Sequence, residues 1–294
     1  MANLKEIRTR ISSVTSTRQI TSAMKMVSAS KLRRAQNIIM QMRPYANKLH
    51  EILTHISSGI DDQTDSPYSK AREVNKVLIV VITSNRGLCG AFNSNVVKQA
   101  INIATTKYER QCKNKHVDFV VIGKKAEEYL RSKKLRVIAT YHQIYDHLSF
   151  ENIVPIAESI MQHYVDKDYD RIEIVYNQFK NAAVQILTTE QFLPIEMDEL
   201  VAQTHIQHDY IFEPTKEFII QDLIPKSLKI QFFKALLDSY AAEHGARMTA
   251  MHKATDNATD MIRGLKLNYN KARQASITNE ILEIVGGAEA LSNK

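Results

Sequence analysis

The 294-residue chain has no tryptophan, eight glycines, six prolines and two cysteines. So little glycine and proline argues against many short elements joined by tight turns and points to long helices. Cys89 and Cys112 are too few and too unpatterned for a disulfide framework or a metal site, which fits a reducing compartment. The longest apolar run, residues 77–82, falls far short of the ~20 residues that a membrane span needs. The opening "MANLKEIRTRI" is charged and amphipathic from its first turn and does not read as a signal peptide.

Charge is present but unevenly spread. Residues 1–43 hold nine Lys or Arg against one acid, Glu6, a local balance of +8, while the whole chain sums to +7, so the remaining 251 residues carry about −1. The basicity belongs to one element and reads as a local surface for an acidic protein, nucleic acid or anionic lipid.

That element contains a 3,4-spaced series: Leu4, Ile7, Ile11 and Val14, then Arg18, Thr21, Lys25 and Ser28, then Leu32, Ala35, Ile39 and Met42. This is the seam of a helix that supercoils with another. Pro44 bends such a helix without ending it. Where the seam turns polar, Ile20, Met24 and Val27 form a shifted stripe beside Ala23, as in a stutter that rotates the contact face. The expectation is that Arg18–Ser28 face a partner other than the one along the rest of the seam.

A polar stretch at 57–69 reads as a linker, after which the period changes. "KVLIVVITS" (76–84) is a strand buried on both faces, followed by a turn at "NRGLCG" and a helix from about 95 to 110. "HVDFVVIGKKAEEYLRS" repeats strand, glycine turn and helix. "RIEIVYNQF" and "AAVQILTTEQFLPI" form a hairpin across Lys180 and Asn181. Residues 70–205 therefore form a Rossmann-like α/β domain between a helix over 1–57 and another over 220–294. The second long helix shows the series Ile230, Phe233, Leu237, Tyr240 and then Met251, Ala254, Ala258, Met261, Leu265. Sixty helical residues from 226 to 285 would span ~90 Å, against a diameter of roughly 50 Å for a globule of this length. Pairing the two helices as an antiparallel coiled coil that stands out from the α/β domain resolves the mismatch. Seven of the ten methionines lie in these helices, where they fill cores and adapt to more than one partner geometry. The helices are unequal, so Ile277, Ile281, Leu282, Ile284 and Val285 form an apolar tip that needs another protein to sheathe it.

The chain is poor in catalytic patterns. "RGLCG" lacks both the Walker Lys-Ser/Thr and the third glycine of a dinucleotide fingerprint, and reads as a strand-to-helix turn. His205 and His208 form an H-x-x-H with no further ligand nearby. No nucleophile elbow occurs and no acid pair is singled out by spacing. No cofactor, metal or catalytic residue is expected. The basic helix lacks aromatic interleaving and scatters its cations round all sides, unlike a nucleic-acid module. A coiled-coil adaptor that binds nucleic acid or acidic proteins is the alternative.

"KEIRTRISSVTSTRQITSAMKMVSASKLRRAQ", "RPYA", "SNRGLCGAFN" and "ARMTAMHKATDNATDMIRGLKLNYNKARQASITNEILEIVGGAEAL" closely resemble the γ subunits of F-type ATP synthases. The resemblance implies that the terminal helices form a shaft inside a ring of alternating α and β subunits. The α/β domain would lie below, with the ε subunit and the c-ring. Proton flow would turn the ring and the shaft, driving each β site through open, loose and tight states. The resemblance places β-subunit contacts at Met24 and Lys25, with Arg33 and Arg34 as helpers, and at Arg273 and Gln274 of "KARQAS". It places the tip from Ile277 in a bearing, and Tyr210 and Glu213 of "YIFEP" at the foot near ε and the c-ring. It implies no nucleic acid and no thiol switch. With its start at "MANLKEI", it also implies a bacterial chain peripheral to the cytoplasmic side of the inner membrane, held there only through the complex.

Overall fold

The computed structural model describes residues 4–57, 67–69, 72–195 and 216–292. The helices are α1 (Leu4–Ser57), α2 (Phe92–Thr106), α3 (Glu109–Lys113), α4 (Lys124–Ser132), α5 (Phe150–Val165) and α6 (Lys216–Ser292). The strands are β1 (Val77–Ile82), β2 (Val117–Ile122), β3 (Val137–Tyr141), β4 (Arg171–Phe179) and β5 (Gln185–Leu193). Two compact units result: the residues up to Ser28 with those from Met248 onward, and Ala29–Arg247.

The Ala29–Arg247 unit is built on one sheet of order β3-β2-β1-β4-β5, parallel except for β5, which returns antiparallel to β4. Its central strand, VLIVVI, is fully buried because both faces are covered. Leu78, Val80 and Ile82 pack with Ile153, Ile160 and Tyr164 of α5 and with Leu228, Phe232 and Leu236 of α6. Val77, Ile79 and Val81 face Val96, Val97 and Ala100 of α2 and Leu130 of α4. Gly123 turns β2 into α4 at φ 99°, where a Cβ would stand 2.1 Å from the Thr83 carbonyl oxygen, so no side chain fits. Ile38, Ile39 and Met42 of α1 also pack on the α5/α6 side of the sheet.

Several elements depart from the sequence reading. α2 begins at Phe92 and stops at Thr106: Lys107 caps it with helical dihedrals, Tyr108 leaves it at φ −119°, and both direct their polar ends onto the buried Glu173 carboxylate. β3 was not expected: it is short and half-buried along its length, so its sequence shows no marked burial pattern. α5 was hidden by Pro155, which removes one backbone donor. Burial of Ile153, Ile156, Ala157 and Ile160 holds that helix together despite the loss. α6 starts at Lys216, four residues before the helix expected over 220–294, and passes through Pro225, with Ile224 and Leu228 buried on either side of it. The β4–β5 connection occupies Lys180–Val184, where the Asn181 Oδ1 accepts from the Ala183 and Val184 amides at 3.0 and 2.8 Å.

The other unit is an antiparallel helix pair. Arg8 Nη2 donates to Tyr269 Oη at 3.2 Å, Thr21 Oγ1 meets Thr255 Oγ1 at 2.8 Å, and Lys25 Nζ lies 3.4 Å from His252 Nδ1. On α6 from Met251 the buried or half-buried positions are Met251, Ala254, Thr255, Ala258, Ile262, Leu265, Tyr269, Ala272 and Ser276; beside Ala254, they alternate in steps of four and three. This corrects one expected position: Met261 is 56% exposed and Ile262, at 8%, is the residue inside. The expected series ran one residue out of phase there.

Candidate functional site

On the helix pair, side-chain exposure separates a covered face from an open one. Thr21 and Ser28 are 8% and 2% exposed, whereas Ile20 and Val27 are 60% and 57% exposed. The polar residues of the interrupted stretch therefore continue the seam, while Ile20 and Val27 of the shifted stripe face outward and Met24 is half-buried. The expectation that Arg18–Ser28 turn as a group to a second partner is corrected: a threonine can stay inside because its hydroxyl finds Oγ1 of Thr255. Ile20, Met26 and Val27 are the large apolar side chains left uncovered on this stretch of α1. Their signal in the sequence was the phase shift itself.

Met24 and Lys25 are half-buried at the edge of this stripe. Lys25 is also tied to α6 through His252, whose Nδ1 lies 3.4 Å from Asp256 Oδ2. Arg273 and Gln274 are exposed on α6 of the same unit. The register sets Arg273 opposite Leu4, so these two residues stand about 32 Å along the pair from Lys25. They are not brought together with Met24 and Lys25, and any contacts they make belong to a separate zone. Past Arg273, the side chains of Ile277, Ile281, Leu282, Ile284 and Val285 are exposed. Arg33 and Arg34 are exposed on α1 within the Ala29–Arg247 unit. Tyr210, Glu213, His205 and His208 lie outside the described residues.

Sequence reasoning passed over Arg247. "RGLCG" forms the β1–α2 turn, with Leu88 and Gly90 at φ 64° and 62°. Arg247 Nη2 donates to the carbonyls of Arg86 and Gly87 at 3.0 and 3.3 Å, and the Ser84 hydroxyl donates to Arg86 O at 2.6 Å. A phosphate loop turns its amide N–H groups toward an anion. Here carbonyl oxygens converge on a guanidinium, so the turn is a structural latch between the sheet and α6. Arg247 also donates through Nη1 to Glu243, whose carboxyl is pushed up by burial against the opposing pull of that guanidinium. His244, beside them, is pushed down to about 3 by burial and by the positive charges of Arg247 and Lys31. The Cys89 thiol under the turn is pushed up, chiefly by burial, which leaves it a poor nucleophile. The signal available in the sequence was one arginine in a stretch of α6 otherwise rich in small and apolar residues. Among the described residues no group of three or more His, Cys, Asp or Glu is placed to hold a metal ion, and no helix is long and apolar enough to cross a membrane.

Residues 3–291 match the family described as ATP synthase. The ATP synthase gamma chain of Christiangramia forsetii is 59% identical over 292 residues, covering 99% of this chain and all of that one. That of Flavobacterium johnsoniae is 58% identical over 294 residues, with 99% and 100% covered. Among solved structures, a chain of the Tetrahymena thermophila mitochondrial ATP synthase central stalk and c-ring is 25% identical, with a TM-score of 0.58 over 80% of this chain and 99% of that one. A chain of the Euglena gracilis mitochondrial ATP synthase OSCP/F1/c-ring assembly superposes with a TM-score of 0.67 over 98% of this chain and 94% of that one. Its identity is 22%, so that likeness bears on the fold.

Proposed function

The chain belongs to the ATP synthase γ-chain family, and we propose that it is the rotor shaft of a proton-translocating F-type ATP synthase. The observation that carries this reading is the end-to-end match to bacterial γ chains in a molecule whose two terminal helices pair antiparallel. In that role the c-ring turns the shaft, the shaft deforms the catalytic β subunits of an α/β hexamer in sequence, and ε attaches near the foot. The chain transmits torque, and the bond-making belongs to other subunits. Its place is the cytoplasmic face of a bacterial inner membrane, reached through the complex. No comparison supports the adaptor alternative.

Met24 and Lys25, flanked by the exposed stripe of Ile20 and Val27, are the proposed contact with the β levers. Arg33 and Arg34 add positive charge that attracts acidic levers at range without fixing one geometry. Arg273 and Gln274 form a second proposed contact with β, and the apolar side chains beyond them fit a bearing. Tyr210 and Glu213 are assigned to the foot on the resemblance alone.

Single-molecule rotation tests the reading. The chain is co-expressed with its α and β subunits, the ring is fixed, and a probe is attached to a cysteine placed in the sheet-containing unit. ATP is expected to drive stepwise rotation in one direction, and a motionless probe during ATP hydrolysis would reject the rotor. Lys25→Glu is expected to lower ATP-driven proton pumping by about threefold or more while leaving assembly intact. Unchanged pumping removes Lys25 from the contact.

A further inference from the structure

We propose that Thr21 and Thr255 form a register pin: a hydroxyl pair inside the seam that sets the axial position of α1 against α6 and so positions Met24 and Lys25. The consequence for Met24 and Lys25 rests on their reading as contact residues; the pin itself does not.

The seam has two kinds of stretch. Toward the chain termini, Ile7, Ile11 and Val14 of α1 and Ile262, Leu265 and Tyr269 of α6 are buried or half-buried, on stretches that the Arg8–Tyr269 and Thr21–Thr255 contacts bring face to face. Apolar packing of this kind is non-directional and holds two helices together better than it holds them in one register. Sliding by one turn, about 5.4 Å, would set one apolar row against another of similar make. Between Arg18 and Ser28 the apolar row is missing, and two polar contacts between the helices stand there, Thr21–Thr255 and Lys25–His252, besides the Arg8–Tyr269 bond near the chain termini.

Thr21 Oγ1 lies 3.0 Å from Arg18 O in its own helix, Thr255 Oγ1 lies 2.8 Å from Met251 O in its own, and the two hydroxyl oxygens are 2.8 Å apart. Two hydroxyls carry two protons for these three contacts. If each kept its local bond, two lone pairs would face each other across the seam. One hydroxyl therefore gives up its local bond to donate across, and the other donates to its own helix. Both directions of this short chain keep the interhelical bond. A slide of one turn would bring Thr21 opposite Met251 or Ala258, neither of which offers a side-chain oxygen.

One turn further along, His252 adds a second tie at the same level. Lys25 Nζ and Asp256 Oδ2 each lie 3.4 Å from its Nδ1. That nitrogen accepts from Lys25 in one tautomer and donates to Asp256 in another, so α6 keeps a polar partner for α1 or for itself without moving along the axis. A polar pair at one seam position is a known means of selecting register at some cost in stability, and here the pair lies on the segment that carries the proposed contacts.

The test is disulfide trapping in the full chain, with crosslinks identified by peptide mass so that Cys89 and Cys112 do not confuse them. Val14→Cys with Ile262→Cys reports the seated register, and Val14→Cys with Ala258→Cys reports a one-turn offset. Thr21→Val, Thr255→Val and the double variant are each expected to raise the offset-to-seated ratio more than about threefold. Thr21→Ser, which keeps the hydroxyl, is expected to leave the ratio unchanged. The double variant should unfold no earlier than the parent on heating, since two valines pack where two hydroxyls were. If valine does not fit, Thr21→Ala removes the hydroxyl without adding bulk and gives the same readout. A ratio that stays below threefold in every hydroxyl-free variant overturns the pin, as does an equal rise in Thr21→Ser. No partner subunit takes part, so the pin can fail while rotation stands, and rotation can fail while the pin stands.

Discussion

One helix, α6, lives under two regimes. From Ile224 to Arg247 it is wrapped: Leu228, Phe232, Ala235, Leu236 and Leu237 are buried among sheet and helix side chains, and even Asp238, Ser239, Glu243, His244 and Arg247 are enclosed. From Met251 to Ser276 a single stripe is covered and most other side chains are exposed. The wrapped stretch makes stability its business, because many apolar groups leave water there. The striped stretch leaves most of its surface exposed, because a two-helix contact buries little per residue. Burial thus makes the first stretch a source of stability and leaves the outer faces of the second exposed.

Truncation separates the two regimes most strongly. Phe232→Ala empties a site enclosed by Phe192, whose ring lies 5.8 Å away, and is expected to cost about 3–5 kcal/mol in urea unfolding. Arg247→Met comes next. It strands the buried Glu243 and releases the carbonyls of Arg86 and Gly87, with an expected loss of about 3 kcal/mol and faster hydrogen exchange in the β1–α2 turn.

Titration probes the wrapped stretch with opposite signs. The Asp238 carboxyl is pushed up to about 6, chiefly by burial, with Lys234 and Arg43 pulling it down and Glu190 pushing it up. The folded chain therefore holds this proton more tightly than the unfolded one. Its stability contribution is full at acid pH and is lost as pH rises through about 6. Asp238→Asn should gain about 1–2 kcal/mol at neutral pH and little near pH 4, read from urea midpoints across that range. His244 works the other way. With its proton affinity lowered to about 3, stability is present above the unfolded imidazole range and is lost as pH falls toward 3. His244→Gln should flatten that acid limb. The smallest effect belongs to the exposed stripe: Ile20→Ser should shift the unfolding midpoint of the chain by no more than about 0.5 kcal/mol. A larger loss would mean that the stripe is packed within the chain.

Legibility followed the range of the forces. Residues 77–82 announced a strand covered on both faces, and Leu4, Ile7, Ile11 and Val14 announced a seam, because each pattern is a short-range repeat. β3 was missed because a half-buried edge strand needs no marked pattern. α5 was missed because Pro155 reads as a break until its neighbours are seen buried. Charge marked residues 1–43 as a basic element, but the candidate contacts Met24, Lys25, Arg33, Arg34, Arg273 and Gln274 were picked out through the resemblance. Arg247 did not stand out, because its partners are the carbonyls of Arg86 and Gly87, some 160 residues away in the chain.

By itself the sequence determined that two long helices flank an α/β sheet and that positive charge concentrates on the first, since periodicity and composition are local quantities. Only the tertiary structure decided which of two adjacent stripes on α1 is covered. A heptad reading assumes that apolar residues go inside, and between Arg18 and Ser28 Ile20 and Val27 do not. Thr21 enters the seam because Thr255 of the other helix satisfies its hydroxyl, and Ile20 and Val27 are left facing outward. That choice depends on a pairing between residues 234 positions apart, and no local pattern contains it.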